Sequence, residues 1–550
     1  MDLKYTTGIV LNSYCYIIAY ASPLFHYVTL GIMAVFKKET SFYPVLICLC
    51  ICIFIATLDT VIVAASLPAI AKSLNATSSE AYWCGSGFLF AQTVAQPIYG
   101  GFAETLGHKR CLLLALGIFT VASLLCATAQ NITWLIATRV VQGLGSAGVN
   151  VLVNVIMADL VPLDRRAKYM GIVQLSGAVG LCSGVIIGAA TSQAASWRWI
   201  FYINLPICIP TMIAIWIFLR QPLGSIDIIE KLKHFDFTGM TLFTGSLISI
   251  LYGLTAGGIL YAWSSARIIT SLVIGAVGIG GTMLYEGLVA KNPMIPPRIF
   301  RDRTASLGYV TTWCQALVLW AYAYFITLYH SLLGSAVQSL SAIAVVPVAA
   351  AIGGIGMSMM KKFKWINVFA SALLTTGFIL MSRLNVHSSQ ANQVGFQILS
   401  AIGGGILFPG RLCAVQAPQA AIDVSIATAL VSFFTSLGES FGVAIGDATF
   451  QNRWQIQLSR NVKAGLLPEK YVVGSKAAEQ IGGVISSFPA DVQDIYRDIM
   501  ADAISTLWIV VGAFGALAFI ACLLSKDLRL DRVNEPLGSG EESEEVQEKR

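Results

Sequence analysis

The sequence predicts an all-α membrane protein that crosses the bilayer many times. Hydrophobic residues make up 56% of the 550-residue chain, charged residues make up only 12%, and the mean hydropathy is +0.73. An ordinary soluble domain carries about 25% charged residues, and a membrane-spanning helix needs roughly 20 consecutive apolar residues. Apolar stretches of that length follow one another from residue 43 to residue 524. This composition excludes a soluble enzyme, a nucleic-acid-binding protein and a disordered scaffold.

Short polar breaks divide this part of the chain into fourteen predicted helices, in a group of six, a pair and a second group of six. The predicted helices cover residues 43–68, 83–99, 111–129, 134–158, 171–191, 199–219, 240–257, 266–286, 305–328, 340–360, 366–382, 394–414, 425–449 and 503–524. The expected regions are an N-terminal extension (1–42), a six-helix bundle (43–219), two linker helices with cytoplasmic loops (220–304), a second six-helix bundle (305–524) and a cytoplasmic tail (525–550). Residues 451–502 are expected to form an extracellular loop.

The positions of Lys and Arg predict that both ends of the fourteen-helix unit are cytoplasmic. Short cytoplasmic loops of membrane proteins carry an excess of these residues. With residue 43 on the inside, the inner connections and the tail hold twenty of them, whereas the short outer loops hold Lys72, Arg198, Arg267 and Arg383. The same bias explains the net charge of +6 without an anionic polymer as partner.

Two terminal segments stand apart from the predicted bundles. Residues 8–36 are apolar and long enough to span the membrane, and they lack a small-residue cleavage site, so a cleaved signal peptide is not expected. An additional helix and a segment that lies on the membrane surface both agree with this pattern. Residues 533–550 are polar, acidic and free of aromatic residues, which predicts a disordered tail.

No cofactor or metal is expected. The twelve cysteines lie in or beside apolar stretches without a C-x-x-C pair, and the five histidines are scattered singly. Gly143-Leu-Gly145-Ser-Ala-Gly148 matches the dinucleotide pattern G-x-G-x-x-G, but it lies inside a predicted membrane helix, where small residues allow close packing. The chain has no Gly-Lys pair and therefore no P-loop. We expect a gradient, not a nucleotide, to drive any uphill transport.

Glycines four residues apart predict smooth faces on two helices. Such faces allow close packing, and they also suit helices that slide or rock against each other. The glycines are Gly180, Gly184 and Gly188 on the fifth predicted helix and Gly438, Gly442 and Gly446 on the thirteenth.

Four charged residues lie at membrane depth: Asp59 in helix 1, Arg139 in helix 4, and Glu439 and Asp447 in helix 13. Each costs about 2.5 to 3.5 kcal/mol at the helix centre on insertion scales, so such residues are functional by default. If one of the three acids pairs with Arg139, the other two carboxylates have no arginine partner at membrane depth. Because burial favours the neutral form of a carboxyl group, these acids are candidates for proton exchange.

Two glycosylation sequons are predicted on the outer side. They begin at Asn75 and Asn131. Asn75 lies in the roomier loop, whereas Asn131 lies close to the membrane, so Asn75 is the better predicted acceptor.

Seven short motifs are spread over the predicted helical region. They are Leu58–Pro68 (LDTVIVAASLP), Gly100–Arg110 (GGFAETLGHKR), Arg139–Gly143 (RVVQG), Ser196–Pro206 (SWRWIFYINLP), Ala262–Ser265 (AWSS), Pro293–Phe300 (PMIPPRIF) and Phe441–Gly446 (FGVAIG). Together they resemble the motifs of the fourteen-spanner drug:proton antiporters of the major facilitator superfamily, and the fungal members most of all.

This resemblance implies a major facilitator fold, in which two six-helix bundles surround a central cavity and rock between inward-open and outward-open states. Two further helices would lie between the bundles. The loop after helix 2 would form a cytoplasmic latch, which uses Gly100, Glu104, Gly107, Lys109 and Arg110. The chain departs from the family pattern at Glu104, which replaces the usual Asp, and at Val185, which replaces the proline of the helix 5 antiporter motif.

The resemblance also implies proton-coupled export of a small, largely apolar organic molecule such as a drug or a fungal secondary metabolite. Asp59, Glu439 and Asp447 would carry protons, and Arg139 would set their proton affinity. We expect Asp59 to be the main carrier because helix 1 lines the cavity in this fold, whereas helix 13 is expected to pack at the back of a bundle. Aromatic residues of helix 9 are candidates for the cavity wall: Trp313, Trp320, Tyr322 and Tyr324.

The expected protein is a monomer in the cell membrane, and its partners are protons, lipid and a small-molecule solute. Two alternatives stay open at this point. One is uptake, or transport across the vacuolar membrane, of an amino acid or an iron chelate by the same fold. The other is a membrane sensor that does not transport.

Overall fold

The structure is a computed structural model that describes residues 42–76, 78–194, 196–219, 235–258, 260–333, 340–385, 388–468, 471–473 and 488–531. The apolar segment 8–36 and the predicted tail 533–550 lie outside the described residues.

Fourteen long helices occupy the described part of the chain, at the places that the hydropathy pattern predicts. They are α1 (Phe42–Ser73), α2 (Ser78–Leu106), α3 (His108–Ala127), α4 (Ile132–Leu160), α5 (Leu163–Ala194), α6 (Trp199–Phe218, interrupted at Ile203), α7 (Phe237–Ala256), α8 (Ala266–Leu288), α9 (Arg303–Leu333), α10 (Leu340–Met360), α11 (Lys364–Met381), α12 (Gln390–Gln416), α13 (Val424–Lys463) and α14 (Ala490–Leu524). Ten of these described helices are long and apolar enough to cross a membrane, judged by length and composition. The fourteen crossings themselves stay a prediction.

The predicted loop at 451–502 is shorter than expected, because α13 continues to Lys463 and α14 begins at Ala490. Hydropathy falls where a helix leaves the apolar layer, but the backbone hydrogen bonds can continue beyond that point. The two extensions pack on each other: the rings of Trp454 and Tyr496 stack with centroids 5.8 Å apart. Arg453 and Asp502 form an ion pair at 2.6 Å beside them. These contacts stabilise helix outside the predicted spans.

The helices pack as two groups joined by a pair. In the first group, α1 packs along α5, and α4 packs between α2 and α3. In the second group, α9 packs along α13 and α14, and α12 packs against α10 and α11. The pair α7 and α8 pack on each other, and α7 also reaches α2 and α13. The groups meet mainly where α5 contacts α10 and α2 contacts α13.

Glycines lie where helices approach most closely within each group. A Cβ atom at Gly180 or Gly184 would collide with the α1 backbone at Phe54 and Leu58. The carbonyl of Gly188 accepts a hydrogen bond from the Ser66 hydroxyl of α1 at 3.0 Å. A Cβ at Gly143 would meet the Phe88 carbonyl of α2. Any larger residue at these positions would push the helix axes apart.

The two groups are held together at the end where the Lys and Arg residues predict the cytoplasm. Arg166, at the start of α5, is 3% exposed and donates a hydrogen bond to the Gln416 side chain of α12 at 2.8 Å. At the next residue of α5, the Ala167 carbonyl lies against Gly354 of α10. We call this set of contacts the inner seal.

Two further hydrogen bonds join the groups closer to the middle of the helices. Asn154 of α4 donates to Ser432 at 3.2 Å, and Gln96 of α2 donates to Ser436 at 2.9 Å. Both acceptors are on α13. The described bundles are therefore joined on their predicted cytoplasmic side, and the space between them lies toward the other end.

Candidate functional site: a cavity with an open carboxylate

A cavity of about 650 Å³, counted with its open mouth, lies between α2, α7, α9 and α13. It begins just beyond the hydrogen bond between Gln96 and Ser436 and extends toward the predicted outer end. Its apolar wall is formed by Leu89, Phe90, Leu251, Leu254, Trp320, Val443 and Ala444. Its polar groups are Ser86, Thr93, Thr255, Ser436, Ser440 and the two acids Glu439 and Asp447. Mostly apolar walls with a few polar groups are typical of pockets for small organic ligands.

Glu439 is partly exposed to this cavity. In the described part of the chain its carboxylate makes no hydrogen bond and no ion pair. The positive charge that acts on it electrostatically belongs to Arg411 of α12. The carboxylate is therefore available both to a proton and to a solute.

Arg411 is a buried charge that the sequence analysis missed. Its side chain is only 4% exposed, the Phe408 ring covers its guanidinium at 4.6 Å, and Nε and Nη1 have no hydrogen-bond partner among the described residues. An arginine three residues from the end of a predicted span normally extends to the membrane surface. An Arg inside an apolar stretch was the available signal, but its inward orientation is visible only in the packed bundle.

Asp447 lies two turns beyond Glu439 and has different surroundings. Both of its carboxylate oxygens accept hydrogen bonds from Gln451 Nε2, at 2.8 and 2.9 Å. The α7–α8 connection lies against it, at Gly258. Gly258 has a φ of +79°, which favours glycine at this position. Asp447 thus contacts the rim of the cavity and is already hydrogen-bonded.

Asp59 and Arg139 form a separate, closed ion pair inside the first bundle. Arg139 Nη1 lies 2.5 Å from Asp59 Oδ2, and the two side chains are 1% and 0% exposed. Gln142 and Asn204 donate to Asp59 Oδ1 at 3.0 and 2.9 Å. The Phe88 ring covers the guanidinium at 4.1 Å. Both charges are satisfied by fixed partners, and neither belongs to the cavity wall.

The expected placement of the acids is therefore wrong in two respects. Asp59 does not line the described cavity, and α13 does not pack at the back of its bundle. The reason is the glycine face of α13: Gly438 and Gly442 lie against the α9 backbone at Trp313 and Leu317. This contact leaves the neighbouring face of α13, which carries Glu439, directed toward α2 and the cavity.

Comparison with known proteins decides the family. The family model described as Major Facilitator Superfamily matches residues 49–443, which is more than half of the chain. The chain belongs to the Major Facilitator Superfamily. Membership makes it a multi-span membrane transporter, not an enzyme, and confirms the superfamily that the seven motifs indicate. The fourteen spans and the drug:proton exchange stay predictions.

Relatives in this superfamily cover most of the chain. It is 31% identical over 503 residues to the MFS transporter L2 of Phoma sp.. This match covers 90% of this chain and 84% of that protein. It is 30% identical over 510 residues to the efflux pump dotC of Dothistroma septosporum. This match covers 92% of this chain and 87% of that protein. The fold is similar to that of the proton:xylose symporter XylE, with a TM-score of 0.54 and 12% identity over 91% of this chain and 99% of that one. The predicted all-α major facilitator fold is confirmed.

The superfamily loop between α2 and α3 is anchored within the first bundle. Gly107 has a φ of +86° and precedes α3 directly. His108 Nδ1 lies 2.5 Å from Asp159 Oδ2 of α4, and Lys109 donates to the Trp216 carbonyl of α6 at 2.8 Å. Gly100 lies against Ala429 of α13, so a side chain there would separate the bundles. The Glu104 side chain lies outside the described part of the structure.

A second superfamily-type motif, Pro293–Phe300, joins the linker helices to α13. The Glu286 carboxylate of α8 accepts a hydrogen bond from Ile295 N at 2.6 Å. Arg298 binds both carboxylate oxygens of Asp423, just before α13, at 2.8 to 3.1 Å. The motif therefore holds the linker to the predicted cytoplasmic end of the helix that carries Glu439.

The aromatic residues of α9 differ in their surroundings. Trp320 lines the cavity. Trp313 packs on Phe441, and the buried Tyr322 donates to Gln397 at 3.1 Å. Tyr324 is exposed on the surface of the bundle. Of the four candidates, Trp320 is the one that a solute in the cavity would contact.

The described residues include no group of three or more metal-ligating side chains.

Of the sequon asparagines, Asn75 is exposed and has a φ of +49°, in the turn after α1. Asn131 accepts a hydrogen bond from Trp134 N at 2.8 Å and caps α4. Its side-chain oxygen is thus engaged in the helix terminus.

Proposed function

We propose that the chain exports a small, largely apolar organic compound in exchange for protons that enter the cell. The observation that carries this proposal is the Glu439 carboxylate, which faces an apolar cavity and has no hydrogen-bond partner among the described residues. The cavity walls favour a ligand with large apolar surfaces and a few polar groups. The relative dotC, whose name is efflux pump, supports the outward direction.

In the proposed cycle, Glu439 takes up a proton from the outer side. The cavity then closes, and the inner seal at Arg166 and Gln416 opens. Glu439 releases its proton to the cytoplasm. The solute then binds in the cavity in exchange for that proton. The glycine faces of α5 and α13 allow the close helix contacts that rocking bundles need. The Asp59–Arg139 pair keeps the first bundle rigid during this motion.

We extend the proposal to topology and location. The chain crosses the membrane fourteen times, as bundles 43–219 and 305–524 with the linker region 220–304, and both ends of this unit are cytoplasmic. It acts as a monomer in the cell membrane, with the vacuolar membrane as the alternative. The α2–α3 loop, with Glu104, Lys109 and Arg110, latches the cytoplasmic side. Asn75, in its open turn, is the glycosylation acceptor.

The test is solute flux in vesicles that contain the full chain and carry an imposed pH gradient. Sensitivity of a deletion strain to a panel of toxins first identifies a solute. The wild type should concentrate that solute against its gradient, and Glu439→Gln should lower this accumulation at least about tenfold while downhill exchange continues. Ser440→Ala is the matched control, because it changes the same wall without removing an acid.

Each alternative has its own outcome in this experiment. Wild-type flux that ignores the pH gradient would overturn proton coupling. Accumulation in the opposite direction would replace export by uptake. A Glu439→Gln variant that still concentrates the solute would show that the proton carrier lies elsewhere.

A further inference from the structure

Arg411 lies between the inner seal and Glu439. Gln416, at the end of α12, contacts Arg166 and also donates to Thr428 of α13 at 2.6 Å. Arg411 precedes Gln416 by five residues, about 7.5 Å along the helix, whereas Glu439 follows Thr428 by eleven residues, about 16 Å along α13. The guanidinium is therefore on the cytoplasmic side of the carboxylate.

The buried guanidinium lacks the acceptors that it needs. Nε and Nη1 have no partner among the described residues, and the Phe408 ring covers one face while leaving the N–H edge open. A buried charge without a hydrogen-bonded counter-ion is strongly destabilising. The planar edge of Arg suits a carboxylate, which can accept two parallel hydrogen bonds from it.

Apart from Arg411, the groups around Glu439 are either uncharged or already bound to other partners. The cavity faces of α2, α7 and α9 carry hydroxyl and apolar side chains and Trp320, all uncharged. From α4, Asn154 reaches α13 and is uncharged. On α14, Asp502 is paired with Arg453. Asp447, on the same helix two turns further out, is hydrogen-bonded to Gln451.

We propose that Arg411 is a positioning residue that sets the proton affinity of Glu439 and forms an ion pair with its carboxylate once the proton has left. This inference rests on the proposed function, because it takes Glu439 as the proton carrier. In the described state the two side chains are apart, with the carboxyl group facing the outer cavity. Formation of the pair moves the proton from the carboxyl group to water on the cytoplasmic side and satisfies the free N–H groups of Arg411. Arg139 cannot take this role, because its donors already bind Asp59.

The experiment titrates Glu439 directly, with protons as the only probe. The full chain in lipid nanodiscs is measured by infrared difference spectroscopy across a pH series, and the signal of the protonated carboxyl group is assigned by its loss in Glu439→Gln. Arg411→Gln removes the positive charge and should move the midpoint upward by at least about one pH unit, a tenfold gain in proton affinity. Arg411→Lys keeps the charge without the planar edge and should move it less.

Arg453→Gln is the matched control, since it removes an arginine from the outer ion pair and should leave the midpoint unchanged. A midpoint in Arg411→Gln equal to that of the wild type would overturn the inference, because a merely structural arginine would change stability alone. If Arg411→Gln does not fold, Arg411→Met, which also removes the charge but keeps an unbranched side chain, takes its place, and an unchanged midpoint in that variant also overturns the inference. If the wild-type spectrum has no titrating signal that Glu439→Gln removes, the proposed proton carrier itself is wrong.

Discussion

In each bundle a buried arginine acts on an acid at membrane depth, but the two pairs are built differently. In the first bundle, Asp59 and Arg139 are in direct contact, and Gln142 and Asn204 satisfy the remaining carboxylate oxygen. In the second bundle, Glu439 and Arg411 interact only through space, and both keep unused hydrogen-bonding groups among the described residues. A closed network stabilises one arrangement, whereas an open pair can change its protonation and its contacts. We propose that the closed pair has a structural role and the open pair a functional one.

The largest expected effect comes from opening the closed pair. Asp59→Asn leaves the Arg139 charge buried without its counter-ion and should lower the free energy of unfolding by about 3 kcal/mol. Thermal unfolding of the detergent-solubilised protein measures this loss. Glu439→Gln, at the open pair, should have a much smaller effect on stability. Equal losses in the two variants would contradict the comparison.

The next effect concerns the geometry of the closed pair. Arg139→Lys keeps the positive charge but cannot contact Asp59, Gln142 and the Cys84 carbonyl from one planar group. We expect it to reach the membrane, to lose about 1 to 2 kcal/mol of stability and to lose most of its transport. Near-normal flux in this variant would show that a charge alone is sufficient at this position.

A smaller effect is expected at the inner seal, which the two bundles share. Arg166→Gln removes the hydrogen bond to Gln416 and should favour the inward-open state by about 1 kcal/mol. Reaction of a cysteine introduced at Ser432 with a membrane-impermeant thiol reagent, applied from the cytoplasmic side, should become faster. The same cysteine in the otherwise unchanged chain is the control, and equal reaction rates would show that Arg166 does not hold the seal.

The smallest effect is expected at the ion pair between the outer extensions. Arg453 and Asp502 are each more than one-third exposed, and exposed pairs contribute less than about 1 kcal/mol. Arg453→Gln should therefore leave both transport and the unfolding temperature close to those of the wild type. A large loss here would mean that the helical extensions beyond the membrane are essential for the bundle.

Individual residues show how far the sequence reaches. The span of α9 and the charges at Asp59 and Glu439 follow from apolar length and from the cost of a charge at membrane depth. Arg411 does not follow, because an arginine near a helix end extends outward by default. The position of Asp59 does not follow either, because it belongs to a strong motif, but motif strength says nothing about whether a side chain faces a cavity. Which acid carries the proton stays a prediction.

By itself, the sequence determined the membrane class, the helix positions, the predicted orientation and the superfamily, because these depend on local properties: apolar length, the placement of Lys and Arg, and short motifs. The tertiary structure decided which acid is enclosed and which is open. That outcome depends on helix rotation, which is set by contacts between residues far apart in the chain, such as Gly438 against Trp313. It also depends on whether polar groups from other helices complete a network, as Asn204 does for Asp59 and as no described residue does for Arg411.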